Sequence, residues 1–538
     1  MKKYDLIVVG AGPGGSAAAK TAAESGLKTI FFERGTVPGE KNVSGTGLSP
    51  KCFRDFDFMR AMNLPHERVA TMATLHLSDE RNVETNMFSF TPSINAPYPE
   101  AGKYLTRNVY RSELDPWLAS LATAAGAELQ TSTKVTGVTR DSAGRIDGVK
   151  TDRGEEFKAD LVIGADGVIS TVARTAGIRD KWDPSEVAMI LNVDFGAARE
   201  DIDLVIGADG VISTVARTAG IRDKWDPSEV AMILNVDFGA RREDIDLVIG
   251  GNALHYWYSA LFPVGYSFFS AEGCHIGLGC YMDWWKKNPH YYLDKLFALE
   301  GVQQQIKLCK AEAREFQNHM VTFLTNPTTT YGDSVMLIGD AAGFACPFEA
   351  EGVYYAMYSG MLAGRVAKKA LERGDVSARS LAEYERLWHD SPIGEEFIGG
   401  EAIEGFVRGI GFNPDAGRWA IPMINDAMYG LLNVAESHTE SARNLPALLT
   451  PYLPQLVETL ARDLVPLGIS LSKPPARPPD ARVAKALNWL LPKVLPFLAR
   501  RAARTENRYS EVTTPLLMEY FAKPFVQAKA RRLEEDGR

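Results

Sequence analysis

Apolar and polar positions follow two rhythms along this chain, and the switches between them mark its parts. The opening is an almost unbroken apolar run, Tyr4-Asp5-Leu6-Ile7-Val8-Val9, as long as one strand buried on both faces. A glycine-rich turn, Gly10-Ala11-Gly12-Pro13-Gly14-Gly15, leads into a small-residue helix expected over 16–25. A second strand follows over 27–32 and ends on Glu33-Arg34-Gly35. Two more short runs end in acidic turns: Leu161-Val162-Ile163-Gly164 before Ala165-Asp166-Gly167, and Val335-Met336-Leu337-Ile338 before Gly339-Asp340-Ala341-Ala342-Gly343. A long helix is expected over 353–373, closed by Gly374. Another opens near Ser112, read as an N-cap with Asp115 as its capping-box partner. Residues 51–103 and 187–328 alternate with strand period and are expected to form a mostly antiparallel sheet, most clearly over 252–282. Past 391 the pattern is helical.

The first of these units carries chemistry. Gly10 permits a tight turn, Gly12 lets the backbone approach a pyrophosphate, and Gly15 lets helix and strand pack closely. Free N–H groups and the dipole at the helix start attract phosphate. Glu33, at the end of the second strand, is placed to accept hydrogen bonds from an adenosine ribose. Dinucleotide binding follows from this frame. A second Gly-x-Gly-x-x-Gly is absent, which disfavours a two-nucleotide layout.

A near-perfect tandem repeat interrupts the chain. Residues 161–203 recur as 204–246 with one difference, Ala198 against Arg241. Asp-Leu-Val-Ile-Gly occurs at 160–164, 203–207 and 246–250. Solenoids stack several units, so two copies make no solenoid. The fold has room for one Asp-Gly turn at the cofactor; Asp166 is expected there, with Asp209 its rival, and much of the extra block is expected to lie outside the packed structure.

Composition narrows the partners. The chain has 538 residues, 45% apolar and 24% charged, which suits two or three globular domains. A net charge of −9 argues against nucleic acid. Five cysteines (Cys52, Cys274, Cys280, Cys309, Cys346) are sparse and badly spaced for metal, so no metal is expected and a reducing, cytoplasmic compartment is. Met1-Lys2-Lys3 runs straight into the first strand, which does not fit a secretory signal. The C-terminal part holds a stiff Pro-rich linker over 473–479 and an apolar segment over 483–498 beside Arg500, Arg501 and Arg504. It can be read as a peripheral contact with the inner face of a membrane or as a helical cap on the protein.

These motifs together resemble FAD oxidoreductases related to aromatic hydroxylases. Phe32-Glu33-Arg34-Gly35 through Pro38-Gly39-Glu40-Lys41-Asn42-Val43-Ser44-Gly45 resembles the flavin-side loop of electron-transfer-flavoprotein:quinone oxidoreductases. Gly339 to Phe344, with Glu351-Gly352-Val353-Tyr354-Tyr355-Ala356-Met357, resembles the geranylgeranyl reductase family, a sister branch. The likeness covers about 1–390. It implies a fold of α/β plus antiparallel-sheet class: a single Rossmann-type FAD domain from 1–50, 104–178 and 329–390, a β substrate domain from 51–103 and 187–328, and a helical region over 391–538. It implies FAD contacts from Gly10, Gly12, Gly15, Glu33, Arg34, Lys41, Gly45, Arg111, Val135, Asp166, Gly339, Asp340, Gly343 and Gly352. Asp340 would hold the ribityl and phosphate end, and Arg111 the phosphates or ribityl chain.

The sequence departs from both branches in three ways. Val43 and Ser44 stand where the reductases place a Cys. Ala260 replaces the Trp of their aromatic-x-Trp-x-Phe-Pro signature, and no cysteine set for an iron–sulfur cluster is present. The resemblance implies electron transfer from NAD(P)H, ferredoxin or electron-transfer flavoprotein to an apolar acceptor, an isoprenoid lipid or a quinone. Reduction of a double bond also needs a proton donor, for which Tyr354, Tyr355 and His275 are candidates. A flavin monooxygenase, and a non-catalytic FAD-binding protein disrupted by the repeat, are the alternatives.

Overall fold

A computed structural model of the chain describes residues 3–40, 45–78, 81–91, 103–168, 170–179, 187–191, 193–194, 231–259, 261, 265–280, 289–322, 330–346 and 351–397. Three sheets organise them. The first holds β1 (Lys3–Val9), β2 (Thr29–Phe32), β8 (Glu128–Gln130), β9 (Val135–Arg140), β10 (Ile146–Thr151), β11 (Glu156–Gly164), β19 (Tyr331–Gly332) and β20 (Val335–Leu337). Its order is β19-β20-β11-β1-β2-β8, with β20 through β8 parallel and β9 and β10 forming an antiparallel meander on β11. Leu6 to Val9 and Leu161 to Ile163 are buried, as expected of parallel strands covered on both faces.

The crossover from β1 to β2 is α1 (Pro13–Glu24), which begins at Pro13 rather than near 16. Proline at the first helical turn lacks only an N–H that would have no helical partner, and its fixed φ suits the helix. Against α1 lies α8 (Val353–Arg373), capped by Gly374 in the left-handed conformation. The two backbones nearly touch: a Cβ on Gly14 would lie 2.9 Å from the Ala356 carbonyl oxygen, and one on Gly360 would lie 2.3 Å from that of Gly14. After α8, α9 (Ala378–His389) closes this layer, with Trp388 packed edge-on against Phe344.

The second sheet is small and antiparallel, in the order β3 (Gly45–Leu48), β7 (Thr106–Tyr110), β4 (Arg68–Ala70). It joins the first layer to the third sheet through α3 (Arg111–Ala124), which follows β7 without a break. The third sheet has nine strands: β5 (Ala73–Ser78), β6 (Glu84–Phe90), β12 (Val187–Leu191), β13 (Val193–Asp194), β14 (Ala231–Gly239), β15 (Leu254–Ser259), β16 (Gly265–Phe269), β17 (Gly273–Cys280) and β18 (Glu312–Thr322). Its order is β13-β18-β12-β14-β17-β16-β15-β5-β6, mostly antiparallel.

Helices α6 (Pro289–Phe297) and α7 (Glu300–Leu308) cover one face of this sheet. Leu296 lies under Gly265, Trp257 abuts Gly301, and Ser267 donates to Gln305 at 3.2 Å. The pleat therefore sends Tyr256, Tyr266, Phe268, His275 and Gly277 to the opposite face. Tyr110 of β7 stands on that face, its ring 5.4 Å from that of His275 and its hydroxyl 2.8 Å from Ser270 Oγ. Among the described elements, α6 and α7 leave this second face bare.

Two elements differ from the sequence pattern. α2 (Pro50–Asp55) and the 3-10 turn after it bury Cys52, Phe53, Phe56 and Met59 in the core of the first layer, although 51–103 was assigned to the covering sheet. Ser49 accepts from Lys51 N and Pro50 occupies the first turn, an N-terminal signal that strand alternation hides. At α3, Ser112 is not the cap and makes no box. Tyr110 occupies the N-cap without a side-chain bond, and Asp115 instead binds Arg111. The upstream half of the first repeat supplies β11 and α4 (Thr171–Ala176), while the downstream half of the second supplies β14 and α5 (Arg242–Val248). Asp209, Lys41, the Pro-rich linker and the apolar C-terminal segment lie outside the described residues. Among the described residues, no helix is long and apolar enough to cross a membrane.

Candidate cofactor site

The turn after β1 is built by close approach. Gly10 has φ +106°, and a Cβ there would lie 2.3 Å from the Ala165 carbonyl oxygen. One on Gly15 would strike the Gly10 carbonyl oxygen at 1.8 Å, so α1 can start this near the strands only without side chains. No side chain caps the first turn of α1, whose N-cap is Gly12. Its N–H groups remain available to an anion.

Acidic and basic groups converge on this turn. At one end, Glu33 Oε2 accepts from Ala11 N at 3.4 Å and Oε1 from Gly35 N at 2.8 Å. Next to Gly12 sits Arg111: a Cβ on Gly12 would be 3.8 Å from its Nη2. Arg111 binds Asp115 bidentately, Nε to Oδ1 at 2.7 Å and Nη2 to Oδ2 at 2.8 Å, and Asp115 is fully buried. Burial opposes the guanidinium charge, but Asp115, Asp340 and Glu351 together hold its pKa above the ordinary value. Asp340 follows β20 at Gly339, where φ is +55°, and lies 3.4 Å from a Cβ position on Gly352. Burial pushes its carboxyl up to about 6, with Arg111 pulling the other way. A hydrogen bond, a close approach and charge coupling thus link Glu33, Ala11, Gly12, Arg111 and Asp340 in one series.

The other expected residues divide. Gly343, with φ +93°, closes the Asp340 turn by donating its N–H to the Asp340 carbonyl at 3.1 Å. Gly352 is the N-cap of α8. Gly45 begins β3, paired with Tyr110. Arg34 is exposed and Val135 is a core residue. Asp166 lies in the turn packed against Gly10, and its carboxylate caps α4, accepting from Thr171 N at 2.7 Å, Val172 N at 3.1 Å and Ser170 Oγ at 2.5 Å. Burial pushes its carboxyl up, against these bonds. What this turn presents to Gly10 is the Ala165 backbone.

Among the proton-donor candidates, Tyr354 and Tyr355 are fully buried, and the Tyr354 hydroxyl donates to Asp55 Oδ2 at 2.6 Å. His275 is 2% exposed. A further buried polar group had no sequence signal beyond isolated histidines. His76 joins Glu84 at 2.8 Å and His255 at 2.9 Å, and stacks on Trp257 at 3.7 Å. Burial and His76 push His255 down to about 3. Strand register alone brings these groups together, because β5 and β15 run parallel and pair His76 with Trp257.

An uncapped helix start, a guanidinium beside it and carboxylates at both ends fit the phosphates and riboses of a dinucleotide. Residues 3–202 match the family described as FAD binding domain. A digeranylgeranylglycerophospholipid reductase of Methanosarcina mazei is 30% identical over 402 residues, covering 72% of this chain and 81% of that protein. The chain belongs to the geranylgeranyl reductase family. A probable electron transfer flavoprotein-quinone oxidoreductase of Escherichia coli, YdiS, is 28% identical over 73% of this chain and 82% of its own length. A geranylgeranyl bacteriochlorophyll reductase-like protein of Thermoplasma acidophilum shares the fold, with a TM-score of 0.61 at 20% identity over 86% of this chain and 100% of that one. The chain is therefore an FAD-dependent oxidoreductase of this family, with a Rossmann-type cofactor domain.

Proposed function

We propose that this chain reduces the carbon–carbon double bonds of an isoprenoid lipid, using FAD held along the series from Glu33 to Asp340. The observation that carries the reading is the bare face of the nine-stranded sheet. Tyr256, Tyr266 and Phe268 are half-buried there, and β17 contributes Gly273, Gly277 and Gly279 with His275 as its one side chain. None of these groups is a carboxylate, lysine or arginine, so the face suits a long apolar chain.

In this reading Arg111 and the α1 start hold the phosphates, Asp340 and Glu33 orient the sugar hydroxyls, and the sheet excludes water from the reacting carbons. Reduced FAD would supply hydride to one carbon, and a proton would reach the other. NAD(P)H, ferredoxin and electron-transfer flavoprotein are the candidate electron donors. A quinone acceptor is the second reading. It is favoured by the complete burial of Tyr354 and Tyr355, since a quinone needs no dedicated side-chain acid.

The test is reoxidation of anaerobically reduced protein. A geranylgeranyl lipid should restore the oxidised flavin spectrum and gain, by mass, one hydrogen pair for each flavin reoxidised. Turnover with a quinone alone would replace this reading by the second. Oxygen consumed in step with substrate would point to hydroxylation.

A further inference from the structure

One end of the nine-stranded sheet carries a row of polar side chains on the face that α6 and α7 cover. The strand order there is β15-β5-β6, and each strand contributes one member: His255, His76 and Glu84. Both imidazoles are buried. Glu84 Oε1 meets His76 Nδ1 at 2.8 Å, and His76 Nε2 meets His255 Nδ1 at 2.9 Å. His255 Nε2 meets the Asn252 carbonyl oxygen at 3.1 Å. All four ring nitrogens are engaged, so the fixed end of the row dictates where its protons lie.

A carbonyl oxygen only accepts, so His255 Nε2 carries a hydrogen. Burial and the neighbouring His76 push the His255 pKa down to about 3, which leaves this ring neutral and its Nδ1 bare. His76 Nε2 must then be the donor between the rings. At the other end, a bare His76 Nδ1 against an ionised Glu84 would set lone pair against lone pair, so a proton lies there too. The His76 ring lies flat on the Trp257 indole, centroids 3.7 Å apart and planes 14° from parallel, a seat that favours an imidazolium. The surroundings supply no rival charge. β15 adds Trp257, which donates to Ser267, and Ser267 donates to Gln305 of α7. α7 also presents Gly301, where a Cβ would lie 2.6 Å from Glu84 Oε2, and α6 presents Leu296. His290, Asp294 and Glu300 are exposed, and Lys295 lies over the Tyr291 ring.

We propose that Glu84, His76 and His255 form a proton-gated clasp: one proton shared by Glu84 and His76 completes a row across three strands, and its loss loosens the β5–β6 pair from the rest of the sheet. Without that proton His76 has one N–H for two acceptors. It can face Glu84 or His255, and whichever joint it leaves is broken. β6 is the outermost described strand of the sheet, so the ladder bonds of one neighbour are what hold it once the row fails. The clasp lies on the covered face and does not depend on the identity of the acceptor.

The test uses the flavin-loaded full chain labelled with ¹⁵N-histidine. At pH 5.5 the His76 ring, recognised by the ring-current shift from Trp257, should show both nitrogens protonated, and His255 should show hydrogen on Nε2 alone. Raising the pH should remove one His76 hydrogen. Hydrogen exchange over 73–78 and 84–90, corrected for the intrinsic effect of pH, should quicken about tenfold or more with the same midpoint. His76→Gln should abolish that pH-linked change. A neutral His76 at pH 5.5, or hydrogen on His255 Nδ1, would overturn the proposal. So would exchange that ignores the loss of the proton, a proton retained up to alkaline unfolding, or the same pH-linked change in His76→Gln. The unsubstituted chain decides the matter by itself should that variant fail to fold.

Discussion

Asp340 is the residue whose position costs the fold most visibly. Burial pushes its carboxyl up to about 6 from the ordinary 3.8, so the fold favours the protonated form more than the unfolded chain does. Stability of the flavin-free protein should therefore decline as pH rises from 4 through 6 and stay reduced above, by about 3 kcal/mol. Asp340→Asn should raise the melting midpoint of flavin-free protein at pH 8 while weakening FAD retention, measured by thermal scan and by flavin released on dialysis. Arg111 behaves in the opposite way. Removing it strands the buried Asp115 carboxylate, so Arg111→Met should destabilise by about 3–5 kcal/mol in denaturant titration. Adding Asp115→Leu should recover much of that stability without recovering flavin. His66 supplies a pH signature. Glu113, through a hydrogen bond to Nδ1, raises its pKa against the opposing effect of burial, and Glu272 adds to the rise. This stabilisation is fully present below about 6.5 and is lost as pH rises through the folded value. His66→Gln should thus lower the melting midpoint more at pH 5.5 than at pH 8.5.

At the scale of elements, the contact between α1 and α8 is the tightest in the first layer, because backbone meets backbone. Gly360→Val should destabilise by several kcal/mol and release flavin, since the helices must separate to admit a side chain beside Gly14. The same scale shows what could be read from residue order. The βαβ unit, the long helix with its glycine cap, and the strands over 252–282 were legible because their periodicity is local and their ends carry chemical markers. The box at Ser112 was misread because Asp115 has two possible partners, and a guanidinium four residues back binds it better than a backbone N–H. The Asp166 turn showed its place but not its orientation. A carboxylate followed by a helix start four residues later is captured by that helix, and Ser170 was the available sign. The His76–Glu84–His255 group was illegible, since residues so far apart in sequence meet only through sheet register.

For the whole molecule, the described residues of the repeat supply no new layer. Deleting one 43-residue copy should leave a 495-residue chain that binds one FAD, because β11, α4, β14 and α5 can all be assembled from a single copy. Stability should change by only about 1–2 kcal/mol, as loop closure depends weakly on length. Flavin stoichiometry and calorimetry of the shortened chain check this.

The near-fusion of α1 and α8 also limits how the molecule can breathe. A helix pair welded through bare backbone cannot shear, so the start of α1 and the start of α8 must travel as one piece. On the proposed reading, a bulky lipid would then be accommodated on the far bank, where Tyr110 leans on β17 and side chains, rather than backbones, form the seam.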